Sequence, residues 1–333
     1  MPTFTVFKGS NEGKVVESQT TRPDIKGDEV YVKITASGLC GTDEHYRHTD
    51  MALGHEGAGV VEDIGPDVKT LKKGDRVGWG YQHDSCRDCE WCLTGRETFC
   101  EQRAMYSSAN LDQGSMGSHA VWKAGFLFKI PEGLSDADAA PLMCGGATVY
   151  NALRMYDVQP DARVGVIGIG GLGHLAIQFA AKMGCDVVVF SNTEGKKDEA
   201  LKLGASKFVA TKGIKAGELD IGRKLDALLV TASVQPDWKL ILPAMAPDSK
   251  VFLLTVSPDD LVIPYMALIA SGISIQGSLV AARAIHRQML AFAAHHQIKP
   301  MNVEYPMTEE GITEAFDTLR AGNMRYRGVL IPQ

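Results

Sequence analysis

No stretch of this 333-residue sequence approaches the roughly 20 consecutive apolar residues that span a bilayer as a helix. Residues 1–20 also lack the basic start and apolar run of a secretory signal, so the expected location is the cytoplasm. A dense Lys/Arg stripe is missing and the formal charge is -6, which argues against nucleic acid and favours small-molecule partners. Internal repeats and low-complexity tracts are absent. Charged residues make up only 22% against 45% hydrophobic, so there is no composition for disorder. The length instead predicts two folded domains.

Evenly paired cysteines are lacking too. The seven are Cys40, Cys86, Cys89, Cys92, Cys100, Cys144 and Cys185, an odd number with four crowded into one loop. In an intracellular chain of this length that pattern reads as metal ligation and not as a disulfide scaffold. Cys185 follows Gly184 at the start of an apolar run and reads as a small buried hydrophobe.

The N-terminal half is written in short alternating segments, such as Glu29-Val30-Tyr31-Val32-Lys33-Ile34 and Gly59-Val60-Val61-Glu62-Asp63-Ile64, separated by Gly, Pro and Asp turns. That is a β-rich style. From about residue 146 apolar runs at 164–168, 187–190, 208–211, 225–231, 251–256 and 273–279 alternate with helix candidates at 172–183, 196–203, 238–245 and 265–270. Apolar strands with helices between them predict a parallel sheet covered on both faces, and six strands fit a doubly wound Rossmann fold. A further helix is predicted over 283–296. The short mixed tail after it is too small to fold alone and is expected to return to the first domain. The boundaries are therefore 1–146 with 283–333 for a discontinuous β-rich domain, and 147–282 for the nucleotide-binding one.

The segment from Val164 to His174 places Gly168, Gly170, Gly171, Leu172 and Gly173 between an apolar strand and a helix. Glycines there allow a tight turn and let the backbone approach a pyrophosphate seated on the helix N-terminus. The second strand runs into Ser191 and Asn192, where an NAD enzyme would usually carry an acidic residue for the adenosine ribose. A hydroxyl there, with Lys196 or Lys197 nearby, suits a 2′-phosphate and hence NADP(H). The alternative is that both lysines only solvate a helix start.

Cys86, Cys89, Cys92 and Cys100 supply four thiolates from one loop, which closes a tetrahedron around zinc with no open position. A second set is scattered: Cys40-Gly41-Thr42-Asp43-Glu44-His45, Gly54-His55-Glu56-Gly57 and Met143-Cys144-Gly145-Gly146-Ala147-Thr148. Two thiolates and one imidazole are a donor set suited to a catalytic zinc with one open site.

In their order along the chain these motifs resemble the zinc-containing alcohol dehydrogenases of the medium-chain dehydrogenase/reductase superfamily, over essentially the whole sequence. Lys196-Lys197-Asp198-Glu199-Ala200-Leu201 and the terminal Arg325-Tyr326-Arg327-Gly328-Val329-Leu330 are most similar to its cinnamyl-alcohol-dehydrogenase-like branch, which is generally NADP(H)-linked. The resemblance implies a GroES-like catalytic domain beside the Rossmann domain, and two zinc ions per chain. It implies Cys40, His55 and Cys144 as ligands of the catalytic zinc, and Glu56 as an alternative ligand or close neighbour. Asp43 would take the other imidazole proton of His55, Thr42 and His45 would relay protons, and Thr148 would contact the nicotinamide end.

The implied activity is interconversion of primary alcohols and aldehydes by hydride transfer. A polyol or secondary-alcohol dehydrogenase, or a catalytically idle NADPH-binding protein, are the alternatives. A homodimer is implied, with a tetramer as the other option. Only nine residues separate His45 from His55, fewer than is usual in this family, so a loop that normally walls the substrate cleft is trimmed. Trp79, Tyr81 and Gln82 either line the pocket or pack in the core.

Overall fold

Along the strand Glu29–Leu39, Val30, Val32, Ile34 and Ala36 all point to one side and are at most 1% exposed, the alternation of a strand with one face in a core. In the computed structural model, which describes all 333 residues, this strand is the hub of a seven-stranded sheet. It pairs antiparallel with Gly57–Ile64, His119–Lys123 and Arg327–Ile331. The sheet continues through Arg76–Trp79 to Phe128–Lys129 on one side, and from Arg327–Ile331 to Asn302–Pro306 on the other. Its core joins Val30, Val32, Val77, Trp79, Trp122, Phe126, Phe316 and Leu330.

The C-terminal tail is thus built into the first unit, which comprises Met1–Ala147 and Val280–Gln333. Its helix Glu309–Arg320 starts at Thr308, whose hydroxyl accepts from Gly311 N–H, and carries Glu309 and Glu310 in the first turn. That is the favourable end for negative charge. The helix buries Ile312, Ala315 and Phe316 completely. At about 1.5–3 kcal/mol for each large apolar side chain, that burial holds the helix where its own propensity would not.

The second unit, Thr148–Leu279, holds a six-stranded sheet in which every pairing is parallel. Its order is Lys207–Ala210, Asp186–Ser191, Arg163–Ile167, Leu225–Val230, Met245–Leu253, Ser274–Gly277. This is the doubly wound order, with its reversal beside Arg163–Ile167, and ligands bind outside the strand ends at such a point. Helix Gly173–Lys182 covers the sheet with Leu175, Ala176, Ile177, Phe179 and Ala180, all fully buried.

One stretch departs from expectation. The helix expected over 238–245 stops at Ile241, gives a 3-10 turn Leu242–Ala244, and the next strand begins at Met245, six residues earlier than its apolar run. Pro243 has no N–H to continue the helical ladder, so the chain leaves the helix there. No helix of the structure is long and apolar enough to cross a membrane.

Candidate metal and cofactor sites

Cys40 ends the central strand region of the first unit and caps a short helix, Gly41–Tyr46. Asp43, in its first turn, is fully buried and occupies both carboxylate oxygens: Oδ2 accepts from Cys40 N–H at 3.0 Å, and Oδ1 lies 2.9 Å from His55 Nδ1 and 3.2 Å from Gly54 N. Tyr106 accepts from the same Gly54 N–H at 3.1 Å, and its ring lies 4.8 Å from that of His55. The imidazole is therefore fixed by its Nδ1 edge. Its Nε2 is buried with no protein partner.

An orphaned imidazole nitrogen in a dry site needs a ligand. The Cys40, His55, Glu56 and Cys144 donor atoms all lie within 4.8 Å of one another around it, so sulfur, nitrogen and carboxylate converge as a zinc site requires. Electrostatics agree. The Cys144 thiol donates to Cys40 and holds the Cys40 sulfur well below the usual thiol range, while the same contact pushes Cys144 up. Burial alone would lower the His55 pKa, but the Asp43 carboxylate and the Cys40 sulfur outweigh it and raise it well above the ordinary imidazole value. A dication would replace those protons and relieve the crowding of like groups.

Glu56 faces the same donors but is fully buried against Arg327, whose Nη2 donates to both of its oxygens. Burial raises the Glu56 carboxyl, with Arg327 the main opposing influence. Arg327 was not singled out by sequence reasoning. A charged residue heading the apolar run Gly328-Val329-Leu330, in a strand buried almost end to end, is the signal that could have found it.

Thr42 is half-buried and His45 is exposed, one turn apart on the helix Gly41–Tyr46. Of the residues weighed as pocket lining, Trp79 is fully buried 5.5 Å from Trp122, and Gln82 is tied to the Asp84 and Glu97 carbonyls, so both serve the core. Tyr81 differs. It is half-buried with its ring edge-on to His55 at 5.4 Å.

The other four cysteines form their own cluster, with donor atoms again within 4.8 Å. Cys86 Sγ lies 3.8 Å from Cys92 and 3.5 Å from Cys100, and a tetrahedron with metal–sulfur bonds near 2.3 Å has edges of about 3.8 Å. Hydrogen bonds from the Asp88 and Cys89 N–H groups pull the Cys86 thiol down to about 6, so a thiolate is present at neutral pH. All four donors are supplied, leaving no open position. Cys185 lies apart, buried, its thiol 3.6 Å from the Gln159 carbonyl and pushed up to about 11 chiefly by burial.

In the second unit the glycine turn follows Arg163–Ile167 directly. Gly168 sits at φ +92°, and a Cβ on Gly173 would stand 1.9 Å from the Gly168 carbonyl oxygen, so neither tolerates a side chain. Around Gly170 there is open space. Gly171 and Leu172 complete the turn into helix Gly173–Lys182. Ser191 ends the neighbouring strand, Asn192 follows it, and Lys196 Nζ reaches back to the Ile169 carbonyl at 2.8 Å. Thr148 is buried in the helix Ala147–Arg154.

Residues 26–132 match the family model described as alcohol dehydrogenase GroES-like domain, and residues 171–295 match the model described as zinc-binding dehydrogenase. An alcohol dehydrogenase of Geobacillus stearothermophilus is 35% identical over 97% of both chains. The NADP-dependent alcohol dehydrogenase C 1 of Mycolicibacterium smegmatis is 32% identical over 99% of this chain and 98% of its own. Among solved structures, a cinnamyl alcohol dehydrogenase from Sorghum bicolor superimposes with a TM-score of 0.91 at 31% identity, covering 99% of this chain and 98% of that one.

Proposed function

Because the chain belongs to the zinc-containing alcohol dehydrogenases of the medium-chain dehydrogenase/reductase superfamily, we propose that it interconverts primary alcohols and aldehydes with NADP(H), on a zinc ion held by Cys40, His55 and Cys144. The observation that carries the reading is the buried, unpartnered His55 Nε2 among two cysteine sulfurs and a carboxylate. Zinc in such a site supplies Lewis acidity towards an alcohol or aldehyde oxygen, and the nicotinamide supplies or accepts the hydride.

The remaining tasks fall to the chain. Asp43 keeps the His55 proton on Nδ1, so that Nε2 stays a lone-pair donor. Thr42 accepts the substrate's hydroxyl proton at Oγ1 as it gives up its own towards His45, which, exposed one turn further on, passes a proton to solvent. Glycines 168, 170, 171 and 173 admit the pyrophosphate, and Thr148 contacts the nicotinamide end. Ser191, Asn192 and Lys196 receive the 2′-phosphate, a reading supported by the NADP-dependent relative. The four-cysteine loop takes the second zinc of each chain. Thiolate Cys144 as third ligand favours alcohols over polyols, whose enzymes commonly use a carboxylate there.

The chain is further proposed to form a homodimer in the cytoplasm. Strand Ser274–Gly277 is an edge of its sheet, and Val262, Tyr265, Met266 and Ile269 nearby are 56–76% exposed. Sedimentation equilibrium checks this.

The deciding experiment joins metal analysis to turnover of aromatic, aliphatic and terpenoid aldehydes with NADPH and NADH in parallel. The reading expects two zinc atoms per chain and faster reduction with NADPH. Cys40→Ser should abolish turnover while NADPH still binds; full activity in that variant would overturn the assignment.

A further inference from the structure

The helix Arg283–His296 begins at Ala282, a residue with no side chain able to cap it. The cap comes from far away in the sequence. Glu97, 1% exposed in the turn Glu97–Phe99 between Cys92 and Cys100, accepts from Arg283 N–H at 2.7 Å and from Arg283 Nε at 2.9 Å with the same oxygen. A buried carboxylate at the first N–H of a 14-residue helix both satisfies the end and complements its dipole. The Arg283 guanidinium also lies over the Phe126 ring at 5.1 Å, with Arg87 of the cysteine loop on the same ring at 5.8 Å. The four-cysteine loop therefore grips the start of this helix.

One turn along stands His286, 4% exposed and stacked on Phe128 at 4.5 Å with the planes 6° apart. Burial lowers its pKa, so the ring is neutral and has one N–H to give. The Ala282 carbonyl near Nδ1 already accepts the backbone N–H of His286 at 3.0 Å. The ring proton is then best used on Nε2, 3.1 Å from the carbonyl oxygen of Met143. Met143 precedes Cys144 within the single π turn Leu142–Gly146, a widened turn of the kind that serves functional sites. Gly80 leaves room for this contact: a Cβ there would stand 2.5 Å from Met143 O and 3.2 Å from His286 Nε2.

We propose that His286 is a positioning residue that fixes the peptide carrying Cys144, and that the four-cysteine loop sets the place of His286 through Glu97 and Arg283. The inference rests on Cys144 being a ligand of the catalytic zinc. It gives the non-catalytic metal loop a task at the catalytic centre: it holds the helix that holds the ligand's turn.

The test uses the zinc-loaded protein and the variants His286→Leu, His286→Gln and Glu97→Ala. Zinc release to a chromogenic chelator is followed with time, the sulfur-to-cobalt charge-transfer band is recorded after cobalt exchange, and thermal unfolding checks the fold. Residues that orient a metal ligand change metal affinity by about 10–100-fold. His286→Leu is accordingly expected to release one of its two zinc ions about tenfold faster or more and to shift the cobalt band, while the four-cysteine zinc keeps its rate. His286→Gln, which restores an N–H donor, should return close to the parent, and Glu97→Ala should move in the same direction as His286→Leu. An unchanged release rate in His286→Leu, or equal acceleration in the glutamine variant, would overturn the role of His286. An unchanged rate in Glu97→Ala would overturn the link to the cysteine loop. A parent protein that holds only the four-cysteine zinc would instead sink the proposed function, a result visible before any variant is made.

Discussion

Arg327 and Glu56 form a buried ion pair across 271 residues of sequence, with one guanidinium nitrogen donating to both carboxylate oxygens. Their side chains are 5% and 0% exposed, so neither charge can turn to water. Removing one partner of such a pair costs about 3–5 kcal/mol, whereas replacing both by apolar groups is often neutral. Arg327→Met should therefore lower the urea-unfolding free energy by about that amount. The double variant Glu56→Leu with Arg327→Met should recover most of it, and a double variant no more stable than the single one would contradict the assignment.

His83 gives the fold a pH dependence of its own. It is 3% exposed against Trp122 at 4.3 Å, its Nδ1 accepts from Asn110 at 3.2 Å, and its pKa is pushed down to about 3, chiefly by burial. In the unfolded chain an imidazole titrates near 6.5. The folded pKa is the lower one, so the stability is whole above about pH 6.5 and is lost as pH falls towards 3. His83→Gln keeps an acceptor for Asn110 but cannot titrate. Its unfolding free energy should fall less steeply between pH 6.5 and 5, by about 1.4 kcal/mol per unit at most, in paired urea titrations of the two proteins. Identical slopes would remove His83 from the account.

The proposed preference for NADP(H) is assigned to Ser191. A carboxylate at the end of that strand would hydrogen-bond an adenosine ribose and repel a 2′-phosphate. Ser191→Asp should raise the KM for NADPH about tenfold or more and leave the KM for NADH equal or lower. Steady-state kinetics with each cofactor decide it; an unchanged ratio of kcat/KM values would show that discrimination lies elsewhere.

The four-cysteine loop should behave as a staple. Cys100 is 1% exposed and its sulfur faces Cys86, so Cys100→Ser leaves an incomplete tetrahedron in a loop with little core of its own. Zinc content should fall from two atoms per chain to one. A loss of about 3 kcal/mol corresponds to a melting temperature lower by about 6–12 °C for a unit of this size. Atomic absorption with differential scanning calorimetry reads both quantities, and a variant that retains two zinc atoms would refute the ligand set.

What could be read from the sequence follows from how far apart the interacting residues lie. Cys86, Cys89, Cys92 and Cys100 span one short loop, so their spacing alone points to a metal. The Rossmann strands are equally legible, since Arg163–Ile167 and its neighbours are apolar along their whole length. Cys40, His55 and Cys144 could be proposed only through their neighbours and a family resemblance. The charge that heads Gly328-Val329-Leu330 marks Arg327 itself, but its pairing with Glu56, like that of Glu97 with Arg283, could not be read. They depend on the register that sets Gly328 opposite Leu39, and on the placing of one helix end 186 residues after its cap. The early start of the strand at Met245 was legible in Pro243 but was masked by the apolar pattern around it.

The sheet of the first unit seats Arg327–Ile331 beside Glu29–Leu39, and the entire second unit is spelled out between them. On the ribosome every strand of the Rossmann unit is therefore present while the sheet of the first unit still waits for two of its strands, Asn302–Pro306 and lastly Arg327–Ile331. The buried Glu56 stays without its counter-charge until that strand emerges. So long-range a closure is expected to be slow, and the unit it delays is the one that holds Cys40, His55 and Glu56.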